Sequence, residues 1–214
     1  MPNHRNLFEY RKVVALPTVE LDVDDAALGF EATAIADWQT YASGGGSLTV
    51  TTSRVKHGLN ALRIYAPNIS DYAFVWRALP IAASGIIKFI GWVNVADYIG
   101  TTSSDYQVLG VYTAIGDLYP AAFVIGATGI TLIHQGVNVL YSATPLSKDE
   151  WHKLAAEIDY SAKTITFFID DIQIAQYTET SISAIQRVYV GDIGSSVGRG
   201  DFYWDSIYCG RKVT

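Results

Sequence analysis

Apolar side chains recur at every second position in short runs along most of the chain, and turn-forming residues separate the runs. Leu154, Ala156 and Ile158 fall on one side of an extended segment, while Lys153, Ala155, Glu157 and Asp159 fall on the other. Ile165, Phe167 and Ile169 alternate in the same way with Thr164, Thr166, Phe168 and Asp170. Runs of this kind, rich in Val, Ile, Thr, Tyr and Phe, predict strands near 48–53, 60–66, 72–79, 86–95, 105–112, 121–126, 130–134, 137–141, 151–159, 163–169, 172–177, 186–191 and 201–209. Gly44-Gly45-Gly46, Ala127-Thr128-Gly129, Gln135-Gly136 and Ser195-Ser196-Val197-Gly198 read as turns.

Nothing between these runs has the length and helical period needed to cross between parallel strands, so the strands are predicted to be antiparallel. Helix is confined to short turns near 34–38 and 181–184, with a brief one within the loop 145–150. The pattern predicts an all-β, two-sheet antiparallel sandwich. No interior linker rich in Pro, Gly or Ser divides residues 1–214, which read as a single domain with 1–20 as an N-terminal arm or edge strand.

Composition narrows the function. Half the residues are hydrophobic and 17% are charged, which excludes general disorder. The formal charge of -6 repels a nucleic-acid backbone, and the pairs Arg11-Lys12 and Arg211-Lys212 are too short to make a basic patch, so no nucleic-acid partner is expected. No uninterrupted apolar stretch reaches the length of a membrane span. Cys209 is the single cysteine, so no intramolecular disulfide can form. Residues 1–7 lack the apolar core of a secretory signal, which leaves an extracellular or particle-associated place open by another route.

Trp151-His152 opens a strand, and Ile169-Asp170-Asp171 makes an acidic turn after the following hairpin. Gly29-Phe30-Glu31, Lys56 through Leu62 and Phe202 through Ile207 add further short matches in the same order. On these residues the chain resembles the concanavalin A-like jelly-roll superfamily, especially laminin-G-like and carbohydrate-binding domains. It departs from that pattern where Gln173 follows Ile172 and the usual glycine of the acidic turn is missing, which leaves the turn type open.

The resemblance implies a structural calcium, with Glu31, the turn from His57 to Asn60, and Asp205 as oxygen donors; ordinary loop hydrogen bonds are the competing account of the same residues. Aromatic side chains give a separate candidate. Trp92 and Asn94, with Tyr106 or Tyr112, combine a ring for stacking on the C–H face of a sugar with polar groups for its hydroxyls. Trp76, Trp92 and Tyr112 can equally be core residues, and Trp38, Trp151 and Trp204 read as structural. Tyr72, Phe74 and Trp76 share one face of their strand.

Catalytic signals are thinner. Glu157 and Asp159 share a strand face, but the later glutamate of the glycosidase Glu-x-Asp-x-Glu pattern is missing, so both read as solvated. His4, His57, His134 and His152 form no compact metal motif, and no ordered Ser/His/Asp motif is visible. Arg63, Lys88, Tyr106 and His134 satisfy a polysaccharide-lyase groove only in the broadest terms. No glycine-rich phosphate cradle points to an organic cofactor. The leading expectation is non-catalytic recognition of a glycan or polysaccharide. A structural or attachment role in a viral or surface assembly, including a homo-oligomer, is the first alternative, and a polysaccharide-cleaving enzyme is the second.

Overall fold

The computed structural model describes residues 38–68, 71–81, 83–99, 107–113, 119–191 and 200–212. The expected arm at 1–20, most of the helical turn at 34–38, Glu31 and Tyr106 lie outside these residues. In chain order the strands are β1 (Gln39–Ser43), β2 (Ser47–Thr51), β3 (Ala61–Ala66), β4 (Tyr72–Ile81), β5 (Ile86–Asp97), β6 (Gln107–Tyr112) and β7 (Ala121–Gly126). They continue as β8 (Gly129–His134), β9 (Val137–Ser142), β10 (Trp151–Asp159), β11 (Thr164–Ile169), β12 (Ile172–Thr178), β13 (Ile185–Gly191) and β14 (Gly200–Arg211). They build two seven-stranded sheets, ordered β1-β4-β13-β6-β7-β8-β9 and β12-β11-β10-β5-β14-β3-β2. Every ladder is antiparallel, and one isolated parallel bridge joins Val95 to Lys148. This is a β-sandwich consistent with a jelly roll, as the alternation predicts.

One apolar cluster lies between the layers. Phe123 of the first sheet meets Phe89 and Phe167 of the second edge to face, with ring centres 6.3 and 5.2 Å apart. Edge-to-face packing of this kind suits the ring quadrupoles, and burial of the three rings removes large apolar areas from water. Trp38 and Trp204 are buried in this core, as their structural reading requires, but Trp76, Trp92 and Tyr112 stand half-buried on outer faces.

Two predictions of local structure need correction. Strand β1 was not expected, because its residues are nearly all exposed at a sheet edge and carry no apolar alternation. Residues 181–184 and 145–150 hold no helical turn, and no helix occurs among the described residues. It follows that none of these residues forms a helix long and apolar enough to cross a membrane.

Carboxylates hold the turns. Asp71 is buried and accepts a hydrogen bond from the Gly45 N–H at 2.7 Å, and from the Asn68 backbone and side-chain amides at 3.0 and 2.8 Å. The Gly44-Gly45-Gly46 turn exists to let this happen: a Cβ on Gly44 would lie 2.1 Å from Asp71 Oδ1. Asp159 caps the β10–β11 turn, accepting from Ser161 N–H, Ser161 Oγ–H and Ala162 N–H at 2.7 to 2.8 Å. The Gly45 N–H, followed by the Asn68 side chain, holds the Asp71 carboxyl below the ordinary aspartate range, and the Ser161 hydroxyl and Ala162 N–H do the same for Asp159. The glycine-free turn is now defined: Asp170 and Asp171 both take left-handed conformations, at φ 52° and 65°, between paired Ile169 and Ile172. Positive φ at both central residues is the geometry of a two-residue type I′ hairpin.

Two outcomes are expected. Since the folded-state values of Asp71 and Asp159 are depressed, their stabilisation is fully present above the unfolded aspartate value of about 4 and is lost as pH falls through the folded-state values. Asp71→Asn should therefore flatten the fall of stability in that acid range, measured by urea unfolding as a function of pH; an unchanged slope contradicts this. At the hairpin, Asp171→Gly should raise stability by about 1 kcal/mol by relieving the left-handed strain, or about 2–4 °C in a thermal melt. A lower melting temperature would show that the exposed Lys153–Asp171 ion pair outweighs the strain.

Candidate functional site

Side chains that do not enter the core populate the outer face of each sheet. On the second sheet, the ladders align Trp151 (β10) with Asn94 (β5), Asn94 with Tyr203 (β14), and Tyr203 with Arg63 (β3). Asn94, Tyr203 and Arg63 alternate with core neighbours and Trp151 pairs directly opposite Asn94, so the four form a continuous row across the face. Behind the row, Ile90, Ala155 and Tyr208 make a small apolar cluster with Phe168, which stiffens the middle of the face.

The segment between β2 and β3 folds over this row, and Asp205 holds it there. Asp205 is 1% exposed, and its Oδ2 accepts from the backbone N–H groups of Lys56 and His57 at 2.7 and 2.9 Å. The register of β14 against β5 shifts between Asp205 and Tyr208, and Ser206 sits at φ 49°. This bulge turns Trp204 and Ile207 into the core and places both Asp205 and Ser206 beneath the loop. Ser206 Oγ lies 2.9 Å from His57 Nδ1 and donates to Asp205 Oδ1 at 3.1 Å.

The anchored loop delivers three cationic or aromatic groups. Lys56 Nζ stands 4.1 Å from the centre of the Trp92 ring, and the His57 ring meets the same indole at 5.4 Å. Arg54 Nη1 donates to Asn94 Oδ1 at 2.8 Å, pairs with Asp149, and holds its guanidinium 5.2 Å from the Tyr203 ring centre. Arg63 forms a two-pronged pair with Asp201, at 2.7 and 2.8 Å, next to Tyr65 and Tyr203. The hydrogen bond to Asp201 pushes the Arg63 guanidinium further up from its already high value, so it is a fixed cation. Ser53, Arg54, Val55, Asn94, Asp149 and Trp151 line an open depression of about 550 Å³ on this face.

The expected site residues are thus divided. Trp92 and Asn94 share this face, but Lys56 covers the Trp92 ring and Asn94 lies buried under Arg54. Tyr112 does not join them: it packs against Tyr119 at 4.8 Å on the outer face of the first sheet, with the core between. The reason is topological, because the consecutive strands β5 and β6 belong to different sheets. The residues that sequence reasoning missed are Arg54, Asp149, Tyr203 and Trp151, the last read as structural but lining the depression. Tyr119 is buried, and Tyr98 is packed against the core with its hydroxyl bonded to the Leu146 carbonyl at 3.1 Å; burial raises its pKa.

The proposed calcium corner fits only in part. Asp205 Oδ2 is occupied by two amides, while Oδ1 has one hydroxyl contact, and Asn60 is buried at the end of the loop. These donors fall short of the roughly six to eight oxygens calcium takes, and Glu31 lies outside the described residues. Among the described residues no cluster of three His, Cys, Asp or Glu side chains is poised for a metal. Glu157 is not a solvated acid: it pairs with Lys88 at 3.3 Å and with Lys212 at 2.9 Å. Asp159 is spent on its turn, so the two do not form an acid/base pair.

No protein-family model matches the chain, and no curated protein matches it by sequence. Among solved structures, it is similar to the cellulose-induced protein Cip1, with a TM-score of 0.69 at 14% identity over 89% of this chain and 98% of that one. A sialidase matches with a TM-score of 0.66 at 9% identity over 87% of this chain, which spans only 18% of the sialidase. The carbohydrate recognition domain of Emp46p, in its potassium-bound form, matches with a TM-score of 0.58 at 9% identity over 88% of this chain and 97% of that one. The fold is therefore shared with Cip1, with the carbohydrate recognition domain of Emp46p and with a part of the sialidase.

Proposed function

We propose that this domain recognises a glycan without cleaving it, through the outer face of its second sheet. The observation that carries the reading is the row Trp151–Asn94–Tyr203–Arg63, held in register by four strands and bordered by Arg54 and Asp149. An indole at the edge of an open depression offers a surface for the C–H face of a pyranose. Guanidinium groups whose planes are fixed by Asn94 and Asp201 donate in pairs to vicinal hydroxyls or a sugar carboxylate, and Asp149 accepts. Because these groups sit on strands or on a loop pinned to a strand, little conformational freedom is lost on binding. Similarity in fold to a carbohydrate recognition domain supports the same reading.

The assembly alternative rests on a different surface: edge strand β9 exposes Val137, Leu140 and Tyr141. A structural calcium at Asp205, Asn60 and Glu31 belongs to the proposal as a support for the loop corner, not as a participant in chemistry.

Trp151→Ala and Arg54→Ala should each weaken binding to a glycan identified on an array by about tenfold or more, with an unchanged thermal melt, as read by titration calorimetry. Full affinity in both variants sinks the site, and a chain that binds no glycan but self-associates through β9 supports assembly instead. If calcium occupies the corner, chelation should lower the melting temperature and added calcium should restore it. An identical melt in chelator removes the ion from the account.

A further inference from the structure

The segment 145–150 and the acidic hairpin meet where residues of both sheets line one cavity, and there they assemble a hydrogen-bonded line that the sequence keeps apart. Ser147 Oγ lies 2.7 Å from His152 Nε2, and His152 Nδ1 lies 2.9 Å from Asp170 Oδ2. The Asp170 carboxylate is itself fixed: Oδ1 accepts from the Lys153 N–H at 2.8 Å, and the Asp170 N–H donates to the Lys153 carbonyl at 2.8 Å. The hairpin geometry that forces Asp170 to φ 52° is what aims this carboxylate at the imidazole. The His152 side chain is only 14% exposed, whereas Ser147 is exposed at the mouth of a cavity of about 330 Å³. Ser147, His152 and Asp170 all line that cavity, and Ile130, Leu146, Ile169, Ile172 and Ile174 supply much of its remaining wall.

We propose that Ser147, His152 and Asp170 form a nucleophile, base and orienting group that hydrolyse short, uncharged acyl esters seated in this cavity. A nucleophile in contact with a base, which a third group orients, is the arrangement that activates a serine hydroxyl. The apolar wall accepts an acyl chain, and the absence of any Lys or Arg from the lining selects against an anionic one. In the first step Ser147 Oγ bonds to the ester carbonyl carbon as its proton passes to His152 Nε2. The bond from carbon to the alkoxy oxygen then breaks, and the same proton leaves with the alcohol. Water next bonds to the acyl carbon, giving one proton to Nε2, and the ester bond to Ser147 breaks. The carboxylic acid departs and Ser147 regains its proton, so ester and water become acid and alcohol.

Glu150 sets the condition for this chemistry. Its Oε2 is 2.5 Å from Ser147 Oγ, and a serine hydroxyl has a single proton to donate. When His152 is doubly protonated, Nε2–H donates to Oγ and the serine proton points to Glu150. When His152 is neutral with its proton on Nδ1, Nε2 accepts from Ser147 and the line is competent. The line is therefore competent only in the second arrangement, with Nε2 free to accept the serine proton.

The test uses the full chain with p-nitrophenyl acetate and butyrate, which carry no sugar, so the outcome does not depend on the glycan face. Ser147→Ala should lower the protein-dependent release of p-nitrophenolate by about a hundredfold or more while leaving the thermal melt in place. A fluorophosphonate probe should label Ser147 in the parent chain, as located by peptide mass spectrometry. Equal rates for the parent and Ser147→Ala, with no label on Ser147, overturn the proposal.

Discussion

An antiparallel strand can give only every second side chain to a shared core, and that constraint organises this molecule. In β3, β5, β10 and β14 the core takes Leu62 and Ile64, Val93, Leu154 and Trp204, and the intervening positions must face outward. The outer faces therefore inherit Arg63, Asn94, Trp151 and Tyr203 as a consequence of satisfying the interior. Function, on this view, is written in the half of each strand that the core does not use. The bulge at Asp205 and Ser206 breaks the alternation, and it is also where the face is finished. Two neighbouring polar residues lie under one loop there, which a regular strand cannot arrange.

Burying the Asp205 carboxylate would be costly if it were unpaired, and the loop's two amides offset that cost. The loop gains a fixed position in exchange, which places Arg54 and Lys56 above the rings of Tyr203 and Trp92. Exposed ion pairs such as Arg54–Asp149 contribute little stability in water. Their geometric effect is larger, because each guanidinium plane is set before any ligand arrives. The Lys88–Glu157–Lys212 group at the other end of the same face plays no such part; it neutralises a half-buried carboxylate between two lysines.

The layers, most strand positions and the antiparallel arrangement were legible because period-two patterning is local. Leu154 to Ile158 and Ile165 to Ile169 declared their inner faces without reference to the rest of the chain. Strand β1 was not legible, since an exposed edge strand needs no apolar alternation and exists through its pairing with β4. The site was half legible. Trp92 and Asn94 share a face because they share a strand, but grouping them with Tyr112 required knowing which sheet β6 joins. Arg54 and Asp149 were invisible for the same reason, being 95 positions apart in the chain and adjacent only through the fold. Asp205 was named from the sequence, but the bulge hid its joint placement with Ser206 under the loop: strict alternation through 201–209 would put Ser206 rather than Ile207 in the core.

The start of β10 shows how little sequence separates two chemically different surfaces. Trp151 and His152 are neighbours, and alternation sends the indole to the outer face of the second sheet and the imidazole to the cavity lined by both sheets. The preceding segment is shared in the same way, with Asp149 on one surface and Ser147 on the other. It is fixed to the end of β5 by the Val95–Lys148 bridge and by the Asp149 N–H, which donates to the Val95 carbonyl at 2.9 Å. A displacement of Asp149 by a bound ligand therefore cannot be absorbed by a slack loop; it strains the attachment to β5 or moves Ser147 relative to His152. Any coupling between the two surfaces must pass through these few backbone contacts, because the strands on either side are locked in their ladders.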